Sequence, residues 1–380
     1  MRNIFINLFI VISSSLIALI VCEILIRVIS PYDSLSVRYP LGLYKNELST
    51  TQPQLFDEQI GYIYKKSFFH PSHPNFGNSL FSTYKDGTRS NIYSNREFFE
   101  ANSFEQPEFD PSEAILVLGD SFVAGSEVSN NNSWPALLEK KIGKRVINGG
   151  VGGYSFTQSV LLGERHIREK KLQKAIFSLI PEDLIRAEYS IYQGVPRPYF
   201  EDTNKNSKII IEHILNFKNF DNSDKKQMNK ILDRYGFSFL LMEIIKRTNN
   251  NPEIFHYFGA NKKENLKIDQ IGCNLVDYIE KISNKYSLDA IILIQYPDWH
   301  FYENNNEMVY LEKYFETFKK CIEQSNVGII DVFNKLNQIY INDKIKFNKL
   351  YIAKGRHMSP IGNEFIANEA YNSLKSMWYK

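Results

Sequence analysis

Ser121 and His357 are the two residues of this 380-residue chain whose settings suit acyl chemistry. Residues 114–118, Ala-Ile-Leu-Val-Leu, form an unbroken apolar run of the kind that makes a central parallel strand covered on both faces. Polarity begins abruptly at Gly119. A glycine lets the backbone leave the strand sharply, and Asp120 can bond neighbouring amides. Ser121 then falls where the strand ends, the usual ligand position in an open α/β sheet. A serine hydroxyl needs a base to take its proton and donors to hold the charge that develops on the substrate. His357 stands between Gly355-Arg356 and a helix start at Ser359-Pro360, on a loop from which an imidazole can reach a neighbouring strand end. Among the other six histidines, His300 in Asp298-Trp299-His300 follows a strand and is the second choice. His166 on a helix and His70, His73, His213 and His256 in loops or inserts read as solvated or structural.

At Gly119-Asp120-Ser121, followed by Ala124-Gly125, the chain resembles the SGNH (GDSL-type) hydrolase family. Ser133-Trp134-Pro135-Ala136-Leu137-Leu138 is similar to that family's first helix. Val146-Ile147-Asn148 leading into Gly149-Gly150-Val151-Gly152-Gly153-Tyr154-Ser155 is similar to its second block. His357-Met358-Ser359-Pro360-Ile361-Gly362-Asn363 resembles the last block. The resemblance implies a three-layer α/β/α fold, Ser121 as nucleophile, His357 as base, and oxyanion donors from the backbone amides of Ser121 and Gly150. Gly149, Gly152 and Gly153 are read as making a tight turn.

Two departures stand out. The family's third block carries an asparagine that donates to the oxyanion, and Glu182 in Ser178-Leu179-Ile180-Pro181-Glu182-Asp183-Leu184 occupies the matching place. A carboxylate donates only when protonated, and beside an oxyanion it repels. Lys354 replaces the aspartate that orients the family's histidine. The imidazole then needs another partner: a backbone carbonyl, Asp298, Asp331 or Glu182 itself.

These residues need elements to position them. Strand and helix patterns alternate at 114–118, 134–141, 145–148, 155–168 and 174–180, the signature of βαβ units around a parallel sheet. Residues 190–265 interrupt the rhythm as an insertion near the active-site edge, with helical apolar spacing at 209–217 and 237–246. It resumes with a helix over 266–286, a strand at 289–295, a helix over 307–325, a strand at 328–332 and a last helix over 359–377. The hydrolase-like domain therefore spans 113–380. Residues 31–112, rich in turn residues, form an accessory segment packed on that core, in which Arg89 reads as a solvated arginine after a turn.

Residues 4–29 are apolar enough to meet the roughly 20-residue need of a bilayer-spanning helix, and residues 1–30 are expected to be an uncleaved anchor. Glu23 and Arg27 are four apart and can pair on one helix face. The positive-inside rule does not decide the orientation, and the resemblance implies export of the domain to the periplasmic side. Cys273 and Cys321 carry no spacing signature, so two buried thiols are expected over a bridge. A hydrophobic fraction of 43% and a formal net charge of +2 argue against disorder and against a nucleic-acid surface. The glycine run at 149–153 lacks the Lys-Ser/Thr of a phosphate loop and the spacing of a dinucleotide turn, so no cofactor and no metal are expected.

The expected function is serine-dependent hydrolysis of an acyl ester on an envelope glycan or related molecule. An acyltransferase that passes the acyl group to a glycan hydroxyl would use the same residues. A non-catalytic glycan-binding or assembly protein, with an envelope-biosynthesis partner, is favoured by Glu182 and Lys354 together.

Overall fold

The computed structural model describes residues 2–29, 53–57, 59–73, 77–187, 189–192, 195–203, 206–210, 261–262, 268–302, 306–352 and 357–378. Its centre is a five-stranded parallel sheet whose strands are short runs of buried aliphatic residues. They are β5 (Ile115–Leu118), β6 (Val146–Asn148), β7 (Lys174–Leu179), β13 (Asp289–Ile294) and β14 (Gly328–Asp331). All four side chains of β5 are buried, as a strand covered on both faces requires. The spatial order is β14-β13-β7-β5-β6, with Val117 opposite Ile176 on one side and Asn148 on the other. In chain order this is a 2-1-3-4-5 sheet, and its direction of winding reverses between β5 and β7. Such a switch point opens a crevice at the carboxyl ends of the two strands, where Ser121 emerges.

The helices number, in chain order among the described residues, α1 (Arg2–Ile29), α2 (Arg96–Ala101), α3 (Ser121–Ala124), α4 (Trp134–Ile142), α5 (Phe156–Lys170) and α6 (Pro181–Arg186). Then come α7 (Ile268–Tyr286), α8 (Asn306–Glu323), α9 (Phe333–Asn342), α10 (Lys344–Lys349) and α11 (Pro360–Met377). Right-handed crossovers put α4 on one face of the sheet and α5, α7 and α8 on the other, because α4 carries the chain outward to β6 and the others carry it the opposite way. Helix α11 packs on α4, and α7 packs on both α5 and α8. Buried Asn363 of α11 joins the first of these pairs: its Oδ1 accepts from the Trp134 amide at 2.9 Å and its Nδ2 donates to the Met358 carbonyl at 2.9 Å. One side chain thus fixes the start of α4 relative to the loop that carries His357.

The described part of the insertion is strand, not helix: β8 (Tyr189–Tyr192), β9 (Val195–Pro196), β10 (Tyr199–Thr203), β11 (Asn206–Ile210) and β12 (Asn261–Lys262). Ile209, expected to begin a helix, instead pairs with Phe200 across an antiparallel ladder. The helical spacing at 237–246 lies outside the described residues. Helices α9 and α10 have no counterpart in the sequence reading.

In the accessory segment β1 (Gln54–Asp57) pairs antiparallel with β2 (Gly61–Tyr64) and β3 (Phe69–His73) with β4 (Ser79–Ser82). Arg89, which follows β4, bridges the edge strand β6, its amide donating to the Asn148 carbonyl at 2.8 Å. The expectation that Arg89 is solvated is wrong, for it is wholly buried. Its Nη1 donates to the carbonyls of Ala124 and Gly125, its Nη2 to that of Val128 at 2.6 Å, and its Nε to Asn130 Oδ1 at 3.2 Å. The turn after α3 presents more unpaired carbonyls than the fold can leave buried, and a guanidinium satisfies several at once. Burial pushes Arg89 down to about 9, so it stays charged at neutral pH.

Helix α1 carries exposed apolar side chains, Phe9, Leu16 and Ile17 among them. Its described side chains lie within 6–22, and among the described residues no helix is long and apolar enough to cross a membrane. Cys273 of α7 and Cys321 of α8 form a disulfide with a Cα–Cα distance of 5.4 Å. This corrects the expectation of two thiols, since the pairing comes from helix packing, which linear spacing does not encode.

Two outcomes follow for stability. Replacing Cys273 and Cys321 together by serine should lower the unfolding free energy by roughly 2–4 kcal/mol, because a 48-residue separation is closed; an unchanged denaturation midpoint would show the bridge to be inert. Arg89→Met keeps most of the bulk but strands the Ala124 and Val128 carbonyls, a loss of about 2 kcal/mol or more, read from the same denaturation curve.

Candidate active site

The turn that carries Ser121 is fixed by what surrounds it. Gly119 sits at φ +156, and a Cβ there would overlap Val123 and come within 2.7 Å of the Ser178 carbonyl, so only glycine lets the chain turn into α3 against β7. Asp120 caps the turn, its Oδ1 accepting from the Phe122 amide at 2.9 Å. Its Oδ2 lies 3.3 Å from both Ser121 Oγ and Arg186 Nη1.

Ser121 and His357 come together from positions 236 residues apart: His357 Nε2 lies 2.9 Å from Ser121 Oγ. The other ring nitrogen, Nδ1, lies 3.2 Å from Glu127 Oε2. The imidazole also packs on the Phe122 ring at a centroid distance of 5.3 Å. Both His357 and Glu127 are about three-quarters buried. A carboxylate at Nδ1 holds the ring proton there and leaves the Nε2 lone pair facing the serine.

Glu127 was not among the candidates for this place. Asp331 instead pairs with Lys319 at 2.8 Å, Asp298 accepts from Tyr302 at 3.2 Å, and Lys354 lies outside the described residues. Glu127 reaches the ring because its own backbone turns left-handed, at φ +68, a conformation a glutamate adopts only when its surroundings impose it. The Arg89 bonds to the carbonyls of Gly125 and Val128, on either side of it, are that imposition. The accessory hairpin closes over the same residue, and Gly77 makes the approach feasible, since a Cβ there would stand 2.8 Å from the Glu127 carbonyl. The signal in the sequence was only proximity: an acid six residues after the nucleophile, in a polar turn.

Glu182 and Gly150 have other duties than those expected. Glu182 Oε1 accepts from Trp299 Nε1 at 2.7 Å and lies 2.9 Å from His300 Nε2. Burial raises its carboxyl, but the bond to His300 and that ring's charge outweigh it and leave the group below its ordinary value. It is therefore an ionised acceptor, neither a partner of His357 nor a protonated donor. The Gly150 amide donates to Asn148 Oδ1 at 3.1 Å, and a Cβ on Gly150 would overlap the backbone of α3. Its lack of a side chain serves the packing of the second glycine turn on α3. Neighbouring Asp183 binds Arg186 at 2.5 Å. Burial and the charge of Asp120 push its carboxyl well up, against the pull of Arg186. Among the described residues no cluster of histidine, cysteine and acidic side chains is arranged to hold a metal.

No family model matches the chain, and no curated protein matches it. Solved structures similar to it include a lipase/acylhydrolase from Enterococcus faecalis, 14% identical over 70% of this chain and 96% of that one, at a TM-score of 0.39. An acetyl xylan esterase, AlAXEase, is 12% identical over 69% and 99%, also at 0.39. The psychrotrophic esterase EstA from Pseudoalteromonas sp. is 14% identical over 71% and 100%, at 0.38. Likeness at this level is too weak to rest a function on, and the site stands on its own geometry.

The Glu182 cluster has a pH signature. A carboxyl depressed below its ordinary value of 4.5 contributes stability that is complete above that pH and is lost as pH falls through the folded-state value. The stability gap between wild type and Glu182→Gln should therefore close on acidification below pH 4.5. A gap that persists unchanged into strong acid would mean that the carboxylate charge is not what binds Trp299 and His300.

Proposed function

We propose that this protein is a serine-dependent acyl-ester hydrolase in which Ser121, His357 and Glu127 act as one unit. The observation that carries the reading is the continuous Ser121 Oγ, His357 Nε2, Nδ1, Glu127 Oε2 alignment, at 2.9 and 3.2 Å, at the switch point of a parallel sheet. Ser121 Oγ attacks the ester carbonyl as its proton passes to His357 Nε2, and Glu127 stabilises the imidazolium that forms. His357 then protonates the departing alkoxide. A water, deprotonated by the same nitrogen, releases the acid from Ser121.

The non-catalytic reading drew on Glu182 and Lys354 together, and the acid that Glu127 brings to His357 removes the second of these supports. For the substrate we favour an acylated glycan of the cell envelope. Export is supported by the Cys273–Cys321 bridge, a bond that persists in oxidising compartments. Anchoring through α1 is supported by its exposed apolar side chains.

Turnover of p-nitrophenyl acetate tests the chemistry. Ser121→Ala and His357→Ala should each abolish it, with the double variant no worse than either. Glu127→Gln, which keeps shape but not charge, should lower kcat by ~10²–10⁴-fold. Unchanged kcat in Glu127→Gln would remove the acid from the mechanism, and turnover surviving Ser121→Ala would remove the mechanism itself.

A further inference from the structure

With Glu182 committed as an acceptor and the Gly150 amide spent on Asn148, the site lacks a side-chain donor for the oxyanion at the expected places. The space beside Ser121 shows where another one stands. Gly152 has ordinary backbone geometry, and a Cβ built on it would meet no hard overlap. It would stand 3.5 Å from the Tyr64 hydroxyl, 4.0 Å from Ser121 Cβ and 4.0 Å from Ser126 Oγ. This hollow, one methyl group in size, is ringed by the nucleophile on one side and a phenol on the other.

Tyr64 comes from β2 of the accessory segment and is almost fully buried. Its oxygen accepts from the Gly152 amide at 3.0 Å, while Tyr62 Oη donates to the Gly152 carbonyl at 2.9 Å. Two accessory tyrosines thus grip one glycine residue through both of its backbone polar groups. Among the described residues the Tyr64 proton has no acceptor, although a phenol both accepts and donates. A buried donor left idle costs free energy unless something else uses it. Burial, opposed by the Gly152 bond and the charge of Arg89 and reinforced by that of Asp120, raises Tyr64 to about 12, so the proton is present throughout the range in which a histidine base works.

We infer that the hollow over Gly152 is the oxyanion pocket and that the Tyr64 hydroxyl is its side-chain donor. The inference rests on the hydrolase reading above. As the Ser121 Oγ–carbon bond forms, the carbonyl π pair moves onto the carbonyl oxygen, which lodges in the hollow and takes the hydrogen bond from Tyr64. The serine proton is on His357 at that moment. When the pair returns, the bond to the alkoxide breaks, the alkoxide takes that proton, and Tyr64 keeps its own throughout. The accessory segment is then part of the catalytic site.

Three variants assayed on p-nitrophenyl acetate test this. Tyr64→Phe should lower kcat by ~10²–10³-fold with KM little changed, the usual loss for one oxyanion donor. Gly152→Ala fits the fold without overlap but fills the hollow, so it should fall as far while keeping the wild-type unfolding midpoint. Fluorotyrosine at position 64, a more acidic phenol of nearly the same shape, should retain activity and shift kcat with donor acidity, which a merely structural hydroxyl would not do. Wild-type turnover in Gly152→Ala, or in a folded Tyr64→Phe, overturns the inference and leaves the hydrolase reading intact. If Tyr64→Phe does not fold, a kcat indifferent to fluorination overturns it. Absence of any turnover in the wild type sinks both readings together.

Discussion

The buried guanidinium of Arg89 is the interaction on which the rest of the site depends. It binds the carbonyls that end the nucleophile helix and those on either side of Glu127, while its own amide extends the edge of the central sheet through Asn148. A cation taken out of water is costly, and it persists only where hydrogen bonds replace its hydration. The accessory segment supplies the cation and the α/β unit supplies the carbonyls, so neither is complete alone. Ser121, Glu127 and the glycine turn all inherit their positions from that exchange.

Glu127 and Glu182 show how environment divides like residues between tasks. Glu127 is partly open and faces an imidazole that faces the serine. Glu182 faces a tryptophan N–H and a second imidazole, and is locked as an acceptor at the end of the neighbouring strand. By residue type and block position Glu182 looked the more important. The bonds reverse that order.

What was legible in the sequence was whatever local pattern decides. The aliphatic run before Gly119, the alternation through 180 and the Ser-Pro start of α11 specify strands, helices and the loop of His357 through periodicity and capping. The illegible part was set by tertiary partners. A glutamate in a polar turn gives no sign that its backbone will be forced left-handed. An arginine after a glycine turn reads as solvated until the carbonyls that bury it are brought from 35 or more residues away. Cys273 and Cys321 needed the packing of α7 on α8, and the Tyr64 hydroxyl gains meaning only beside Gly152. Lys354 lies outside the described residues, and the acid that meets His357 comes from a different loop, the one that carries Glu127.

Ser121 and Glu127 lie six residues apart on one turn, whereas His357 arrives from 236 residues away, held by the pairing of α11 with α4. Loop closure over such a span costs more chain entropy than closing the 35- to 39-residue loops that Arg89 ties to the Ser121–Glu127 turn. The site therefore has two unequal parts, a serine and a glutamate organised with the sheet and the accessory segment, and a histidine delivered by the docking of a distant helix. A change that loosens α11 from α4 would then separate the histidine from the serine while leaving the serine and the glutamate in register with the sheet.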